Sequence, residues 1–295
     1  MLLFALKWML FTVDLFRFLV RVTLAAMKSL LWLVFPAPMK PVDVVVVTGA
    51  ARGLGKELSK CFAQLGAKVI LLDIDRVKND EAAKEIRATG GKGFSFTCDI
   101  TEEQEVHTIA EKVSRLIGPV DVLVNAASVS RTSSSLRNLN PNQVRRTFEV
   151  NTLSHFWTIR EFLPHMAGNG HIVAVTSAGA AGSAEYCASK FAVMGLMQSL
   201  EKELAGIHLT TVCLPPVSKG YLPAGIPLLG GWFPKMFLPM PVEKAARKIV
   251  ESIRRNESFL VLPASFALIH KLSLILPHEV RKLTHEYLDG SLKPS

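Results

Sequence analysis

Cysteine is scarce in this chain. There are four in 295 residues, at positions 61, 98, 187 and 213, with no spacing that suits a metal knuckle or a redox pair. That excludes a disulfide framework and a zinc module, and it reads as free thiols in a reducing compartment. No two of the eight histidines stand four apart, so no metal site is expected. Glycine (19) and proline (16) are too few for a collagen-like or low-complexity chain. A net charge of +9 beside 49% hydrophobic residues is too little charge and too much apolar side chain for disorder. The basic excess comes without a basic–aromatic cluster, so nucleic acid is not an expected partner. The first forty residues also lack a long apolar run. Their longest stretch without a charge, 29–39, holds 11 residues and contains Pro36 and Pro38, whereas a spanning helix needs about 20.

What is present is unevenly distributed. Of the first 35 residues 27 are hydrophobic, and the remaining 260 are about 45% hydrophobic, ordinary for a globular domain. Residues 1–40 carry Lys7, Arg17, Arg21, Lys28 and Lys40 against Asp14, so nearly half of the net charge lies there. Charges running on to Lys28 do not fit a secretory signal. Lys7, Asp14, Arg21 and Lys28 are seven apart with Arg17 between them, and at 100° per residue all five fall in one stripe about 80° wide. Trp8, Phe11, Phe16, Phe18 and Trp32 lie on the broad apolar face. This pattern favours a helix lying in a membrane interface, with its basic stripe toward anionic headgroups. A tilted spanning helix and a helix packed on the protein's own domain are the alternatives. Pro36, Pro38 and Pro41 close the segment, giving an anchor and linker over 1–40, a globular domain over 41–262 and an apolar tail over 263–295.

From residue 43 the sequence alternates. Asp43 and the run Val44-Val45-Val46-Val47-Thr48 read as a strand buried on both faces, followed by a helical pattern through Gly66 and a second strand at 68–73. Helices are then expected at 76–89, 102–117, 141–167, 184–205 and 242–255, and strands at 92–98, 120–125, 170–176, 207–213 and 259–262. Such alternation predicts an α/β fold, a single doubly wound parallel sheet of the Rossmann type with about seven strands.

Between the first strand and the first helix stands Gly49-Ala50-Ala51-Arg52-Gly53-Leu54-Gly55. Gly49 allows a tight turn, Gly53 lets backbone approach a pyrophosphate at the helix N-terminus, and Gly55 permits close helix–strand packing. Asp73, 18 residues beyond Gly55, is placed to accept from the adenosine ribose hydroxyls and to repel a 2′-phosphate, which favours NAD. Arg52 pulls the other way, toward NADP. Further on, Tyr186 and Lys190 are four apart in a helical stretch and so share a face. A nearby ammonium stabilises a phenolate, which makes Tyr186 a general base, and Ser177 at the end of the preceding strand can bond the same substrate oxygen.

With these residues in place the sequence resembles the short-chain dehydrogenase/reductase family over essentially 42–262. The shared features are Thr48-Gly49-x-x-x-Gly53-x-Gly55, Asp99, Val124-Asn125-Ala126-Ala127, Asn151, Ser177 and Tyr186-x-x-x-Lys190. Phe156-Trp157, Phe162-Leu163-Pro164, Gly170-His171-Ile172-Val173 and Tyr186-Cys187-Ala188-Ser189-Lys190-Phe191 are similar to the membrane-associated retinol and 17-beta-hydroxysteroid dehydrogenase branch, of the epidermal retinol dehydrogenase type.

The resemblance implies that Tyr186 exchanges the substrate proton, Lys190 binds the nicotinamide ribose, Ser177 orients the substrate oxygen and Asn151 holds a water in a proton relay. It implies cofactor contacts from Leu54, Asp99, Ile100, Asn125, Ala126, Val217 and Ser218 as well as from the glycine loop. A homodimer, a lipophilic substrate, and an address at the endoplasmic reticulum membrane or a lipid droplet complete what it implies. The reaction expected is oxidation of retinol or a hydroxysteroid with NAD. The alternatives are an NADP-dependent carbonyl reductase and a catalytically weak member acting as a surface interaction protein.

Three departures from the family stand out. Ser177 and Tyr186 are only nine apart, Asn-Asn-Ala-Gly becomes Val124-Asn125-Ala126-Ala127, and the threonine of Pro-Gly-x-x-x-Thr is replaced by Gly220, with Ser218 nearby. The apolar stretches 221–240 and 265–277 are expected to cover the substrate site, the second with contact with the membrane as its alternative.

Overall fold

The computed structural model describes residues 2–34, 38–130, 136–177, 184–214, 240–263, 277 and 279–280. Val217, Ser218, Gly220 and nearly all of the apolar stretches over 221–240 and 265–277 lie outside the described residues. The chain divides into two compact units, Met1–Lys40 and Pro41–Ser295.

The first unit is one helix, α1 (Leu2–Val34). Lys7, Trp8, Phe11, Asp14, Phe16, Arg17, Phe18 and Arg21 are all exposed on it. Phe4, Trp8 and Phe11 follow one another edge to face, with ring centroids 6.1 and 5.9 Å apart. Among the described residues no helix is long and apolar enough to cross a membrane.

The second unit is a seven-stranded parallel sheet in the order β3-β2-β1-β4-β5-β6-β7. Its strands are β1 (Val44–Thr48), β2 (Lys68–Asp73), β3 (Lys92–Thr97), β4 (Val120–Asn125), β5 (Met166–Ser177), β6 (His208–Leu214) and β7 (Phe259–Val261). The helices are α2 (Gly53–Gln64), α3 (Arg76–Ala88), α4 (Glu103–Leu116), α5 (Pro141–Phe148), α6 (Ser154–Phe162), α7 (Ala184–Glu203) and α8 (Val242–Arg254).

Strand period decides which helix lies on which face. Val45, Val47, Val69, Leu71, Val122 and Val124 form one core cluster with Leu58 and Phe62 of α2, Ile86 of α3 and Ile249 of α8. The alternate residues Val44, Val46, Ile70, Leu72 and Leu123 form the other with Val106 of α4, Phe162 of α6 and Met197 of α7. Every valine of β1 is buried, and each such side chain contributes about 1.5–3 kcal/mol. Helix starts are fixed locally: Asp75 caps α3 by accepting the Lys78 N–H at 3.2 Å, and Asn140 caps α5 by accepting that of Asn142 at 2.9 Å.

The expected single helix over 141–167 is broken into four pieces that end at residue 165. A π-turn over Glu149–Leu153 separates α5 from α6, and a short 3-10 turn, Leu163–His165, ends α6 where Pro164 removes an N–H. β5 then starts at Met166, four residues earlier than expected. Its pairing with β4 shifts register between Val120 and Val122, which lets Gly168-Asn169-Gly170 bulge within the strand.

Candidate active site

The strand order reverses between β1 and β4, and a cleft of about 530 Å³ opens at their carboxyl ends, where open α/β sheets take ligands. Gly49, Arg52, Gly53, Leu54, Gly55, Asp73, Asp99, Ile100 and Ala126 all line it. The glycine loop has the geometry such a cleft needs. Gly49 adopts a φ of +67°, and a Cβ there would come within 2.7 Å of the Ala127 backbone, so the loop passes against the end of β4 only because the side chain is missing. A Cβ on Gly55 would collide with the Gly49 carbonyl oxygen. Gly53 also has positive φ and has open space where a Cβ would stand. α2 starts there with no side-chain cap from Arg52, so its first N–H groups face the cleft. A phosphate fits this cradle, and the three glycines with the amino end of α2 are the groups that would hold it.

Asp73 sits at the end of β2 and is fixed before any ligand is considered. One carboxylate oxygen accepts the Ala51 N–H and the other accepts the Asp75 N–H, each at 3.0 Å. Asp99 accepts from the Thr101 N–H and hydroxyl at 3.0 and 2.7 Å and from Arg146 at 3.3 Å. Burial works against its charge, but these Thr101 and Arg146 bonds hold its carboxyl below the usual range. Arg146, which lines the cleft, went unnoticed in the sequence because its partner is 47 residues away.

Asn125 ends β4, where its side-chain Oδ1 accepts the Thr158 hydroxyl at 2.9 Å and ties β4 to α6. Val124, by contrast, is in the apolar core. A carboxamide there would be buried without partners, so Asn125, not Val124, is the first position of the family's Asn-Asn-Ala-Gly. Ser128 then takes the glycine's place. Thr48 holds this turn to β1 by accepting the N–H groups of Ala126 and Ala127 at 3.1 and 3.2 Å.

A second group of side chains stands beside the cleft. Asn151 lies in the π-turn and is fully buried; its amide oxygen accepts the Val129 N–H (2.8 Å) and the Ser128 hydroxyl (3.2 Å), while its amide nitrogen donates to Val129 O (2.9 Å) and Ser189 Oγ (3.1 Å). All four of its bonding positions are used within the protein, so the side chain positions the chain after β4 and has no capacity left for a water. Lys190, on α7, is 2% exposed; its Nζ donates to Val175 O of β5 at 3.0 Å and stands 5.8 Å from the centroid of the Tyr186 ring. Burial lowers its pKa to about 8.

Tyr186 lies in the first turn of α7 and is half-buried. Burial pushes its phenol up, and a hydrogen bond from Ser128 pulls it partly back. The expectation that Lys190 draws the phenol down therefore meets an opposing effect, desolvation. Ser177 is buried at the end of β5 and, among the described residues, makes no hydrogen bond to Tyr186. His155 of α6 is buried and kept neutral, its pKa lowered to about 3 by burial and by the nearby Lys190 charge. No cysteine forms a disulfide, and no metal-binding cluster occurs among the described residues.

A family model described as short chain dehydrogenase matches residues 43–221. The chain belongs to that family. As a short-chain dehydrogenase/reductase it is an NAD(P)-dependent oxidoreductase. Its relatives include estradiol 17-beta-dehydrogenase 11 of Homo sapiens, 33% identical over 280 residues, with 90% of this chain and 91% of the relative covered. Epidermal retinol dehydrogenase 2 of Mus musculus is 32% identical, with 93% and 92% covered. Family 16C member 6 of Bos taurus is 34% identical, with 89% and 86% covered. A metagenomic short-chain oxidoreductase solved in complex with NADP is similar to 75% of this chain and 96% of its own length, at 27% identity and a TM-score of 0.63.

Proposed function

We propose that this short-chain dehydrogenase oxidises a lipophilic alcohol of the retinol or hydroxysteroid class with NAD, at a membrane or lipid-droplet surface. One observation carries the reading: the glycine loop, Asp73 and Asp99 line a cleft at the carboxyl ends of a parallel sheet in which Tyr186 and Lys190 share α7, the Lys190 Nζ 5.8 Å from the Tyr186 ring centroid. The nicotinamide, when bound, supplies the hydride acceptor or donor. The chain supplies the rest. Tyr186 takes the alcohol proton, Lys190 holds positive charge beneath it, Ser177 orients the substrate oxygen, and Asn151 with Ser189 fixes the π-turn behind them. The substrate class is supported by two relatives named for estradiol and retinol, and by the exposed apolar face of α1.

Asp73 supports NAD over NADP, since a 2′-phosphate beside its carboxylate meets repulsion. Arg52 and the NADP-bound neighbour favour the reverse. Asp73→Asn keeps an acceptor for the loop N–H and removes the charge. The ratio of kcat/KM for NAD to that for NADP is expected to fall about tenfold or more, a change of roughly 1.4 kcal/mol. A wild-type preference for NADP contradicts this assignment.

The interface reading of α1 is supported by its exposed aromatic residues and by Lys7, Arg17 and Arg21 on one stripe. Full-length protein is expected to sediment with vesicles containing phosphatidylserine, more weakly at high salt, while 41–295 stays in the supernatant. Equal partition of the two chains removes the anchor from the account.

A further inference from the structure

We propose that Arg146 is a positioning residue for the purine of the dinucleotide: its guanidinium fixes the Asp99 carboxylate so that one acceptor position on Oδ2 is left for an exocyclic amino group. The inference rests on Asp99 being the purine contact. Three side chains close a ring at this end of the cleft. Arg146, on α5, donates from one terminal nitrogen to Thr101 Oγ1 at 3.0 Å and from the other to Asp99 Oδ2 at 3.3 Å. Thr101 donates its N–H and its hydroxyl to Asp99 Oδ1 at 3.0 and 2.7 Å.

Each carboxylate oxygen has room for about two hydrogen bonds. Among the described residues, Oδ1 receives two, both from Thr101, and Oδ2 receives one, from Arg146. One position therefore remains, on Oδ2. Thr101 alone would leave that oxygen free to swing. The bond from Arg146 comes from a different element, 47 residues away, and removes the freedom. A guanidinium is a planar fork, so its bonds to Thr101 and Asp99 come as a set that a lysine does not reproduce. Asp99 and Arg146 line the cleft beside Ile100 and Val150, two apolar side chains suited to the faces of a base. An amino group at purine position 6 can donate to the remaining acceptor. A carbonyl at that position sets oxygen against oxygen, and a site built to accept a donor rejects such an analogue.

Arg146 also stands 3.6 Å from Glu149, the first residue of the π-turn. Loss of this cation beside the cleft weakens every anionic dinucleotide alike. The ratio of affinities for two dinucleotides that differ only at purine position 6 cancels that effect and isolates the orientation of Asp99.

The probes are NADH and its hypoxanthine analogue, reduced nicotinamide hypoxanthine dinucleotide, each titrated by fluorescence against full-length protein with no alcohol present. Wild type is expected to bind NADH about tenfold or more tighter than the analogue, the worth of one hydrogen bond to a charged group. In Arg146→Met the two affinities are expected to come within about twofold of each other, with NADH itself bound about tenfold more weakly. Arg146→Lys keeps the charge without the fork, so NADH binding should recover in part while the ratio stays as low as in Arg146→Met. Asp99→Ala is expected to lose the ratio as well. Should Arg146→Met fail to fold by circular dichroism, Arg146→Ala removes the same guanidinium and is judged by the same criterion. A ratio lost in Asp99→Ala but kept in a folded Arg146 variant, or restored in full by Arg146→Lys, overturns the proposal. A ratio kept in Asp99→Ala, or absent from wild type, defeats the reading of Asp99 and the proposal with it.

Discussion

Tyr186→Phe is expected to cut alcohol-dependent NAD(P)H formation by about 10³-fold or more, with nucleotide binding changed by no more than about twofold. A positioned acid–base group supplies roughly 10²–10⁴-fold in rate, and the phenylalanine ring keeps the packing while removing the one atom that exchanges a proton. The cleft that would hold the nucleotide is lined by the glycine loop, Asp73 and Asp99, none of which the substitution alters. Because burial pushes the Tyr186 phenol up, alcohol oxidation, which needs the phenolate, should accelerate as pH rises from neutral; reduction, which needs the phenol, should not. Titration of bound NADH by fluorescence beside steady-state rates checks both halves. A variant retaining a tenth of wild-type turnover contradicts the role given to Tyr186.

Lys190→Met should reduce turnover by about 10²-fold or more and change the pH dependence of stability in a defined direction. Burial lowers the lysine pKa from 10.5 to about 8 in the folded protein. Between those two values the unfolded chain binds the proton and the folded chain does not, so the contribution of this group to stability rises with pH across that window. Below pH 8 the cost of burying the ammonium is present in full; above 10.5 it has gone. Methionine has no such dependence. The difference between the two melting temperatures should therefore move in favour of wild type by about 2–5 °C from pH 8 to 10.5. A difference constant over that range means the lysine is not buried as described.

How far the sequence carries the reader depends on how local each feature is. The glycine loop could be read because its demands are local: a positive φ at Gly49 and a forbidden Cβ at Gly55 are requirements of a few consecutive residues. The β1 strand could be read because four adjacent valines are buried on both faces. Tyr186 and Lys190 share a helix, so their spacing alone put them together. Ser128 could not be found this way. Its partner Asn151 is 23 residues distant, and no periodicity links a turn after β4 to a π-turn. The π-turn itself was hidden because a helical pattern runs through it unchanged, and only the burial of Asn151 shows why the backbone widens there. The lysine–phenol relation was half legible: spacing gave proximity, while the desolvation that raises the phenol is a property of the folded chain that spacing does not carry.

The same division separates the two kinds of functional claim. Dinucleotide chemistry follows from the cleft, the loop and the family, and it survives whichever alcohol is used. The lipophilic substrate rests on the names of two relatives and on a helix whose aromatic residues face outward.

One experiment reaches both claims. Full-length protein in detergent or vesicles is incubated with NAD and either all-trans-retinol or estradiol, and NADH fluorescence and the carbonyl product are followed together. NADH and product appearing one to one from at least one of the two alcohols, and absent with Tyr186→Phe, is the predicted result. No Tyr186-dependent product from either alcohol, in protein that binds NAD, contradicts the account.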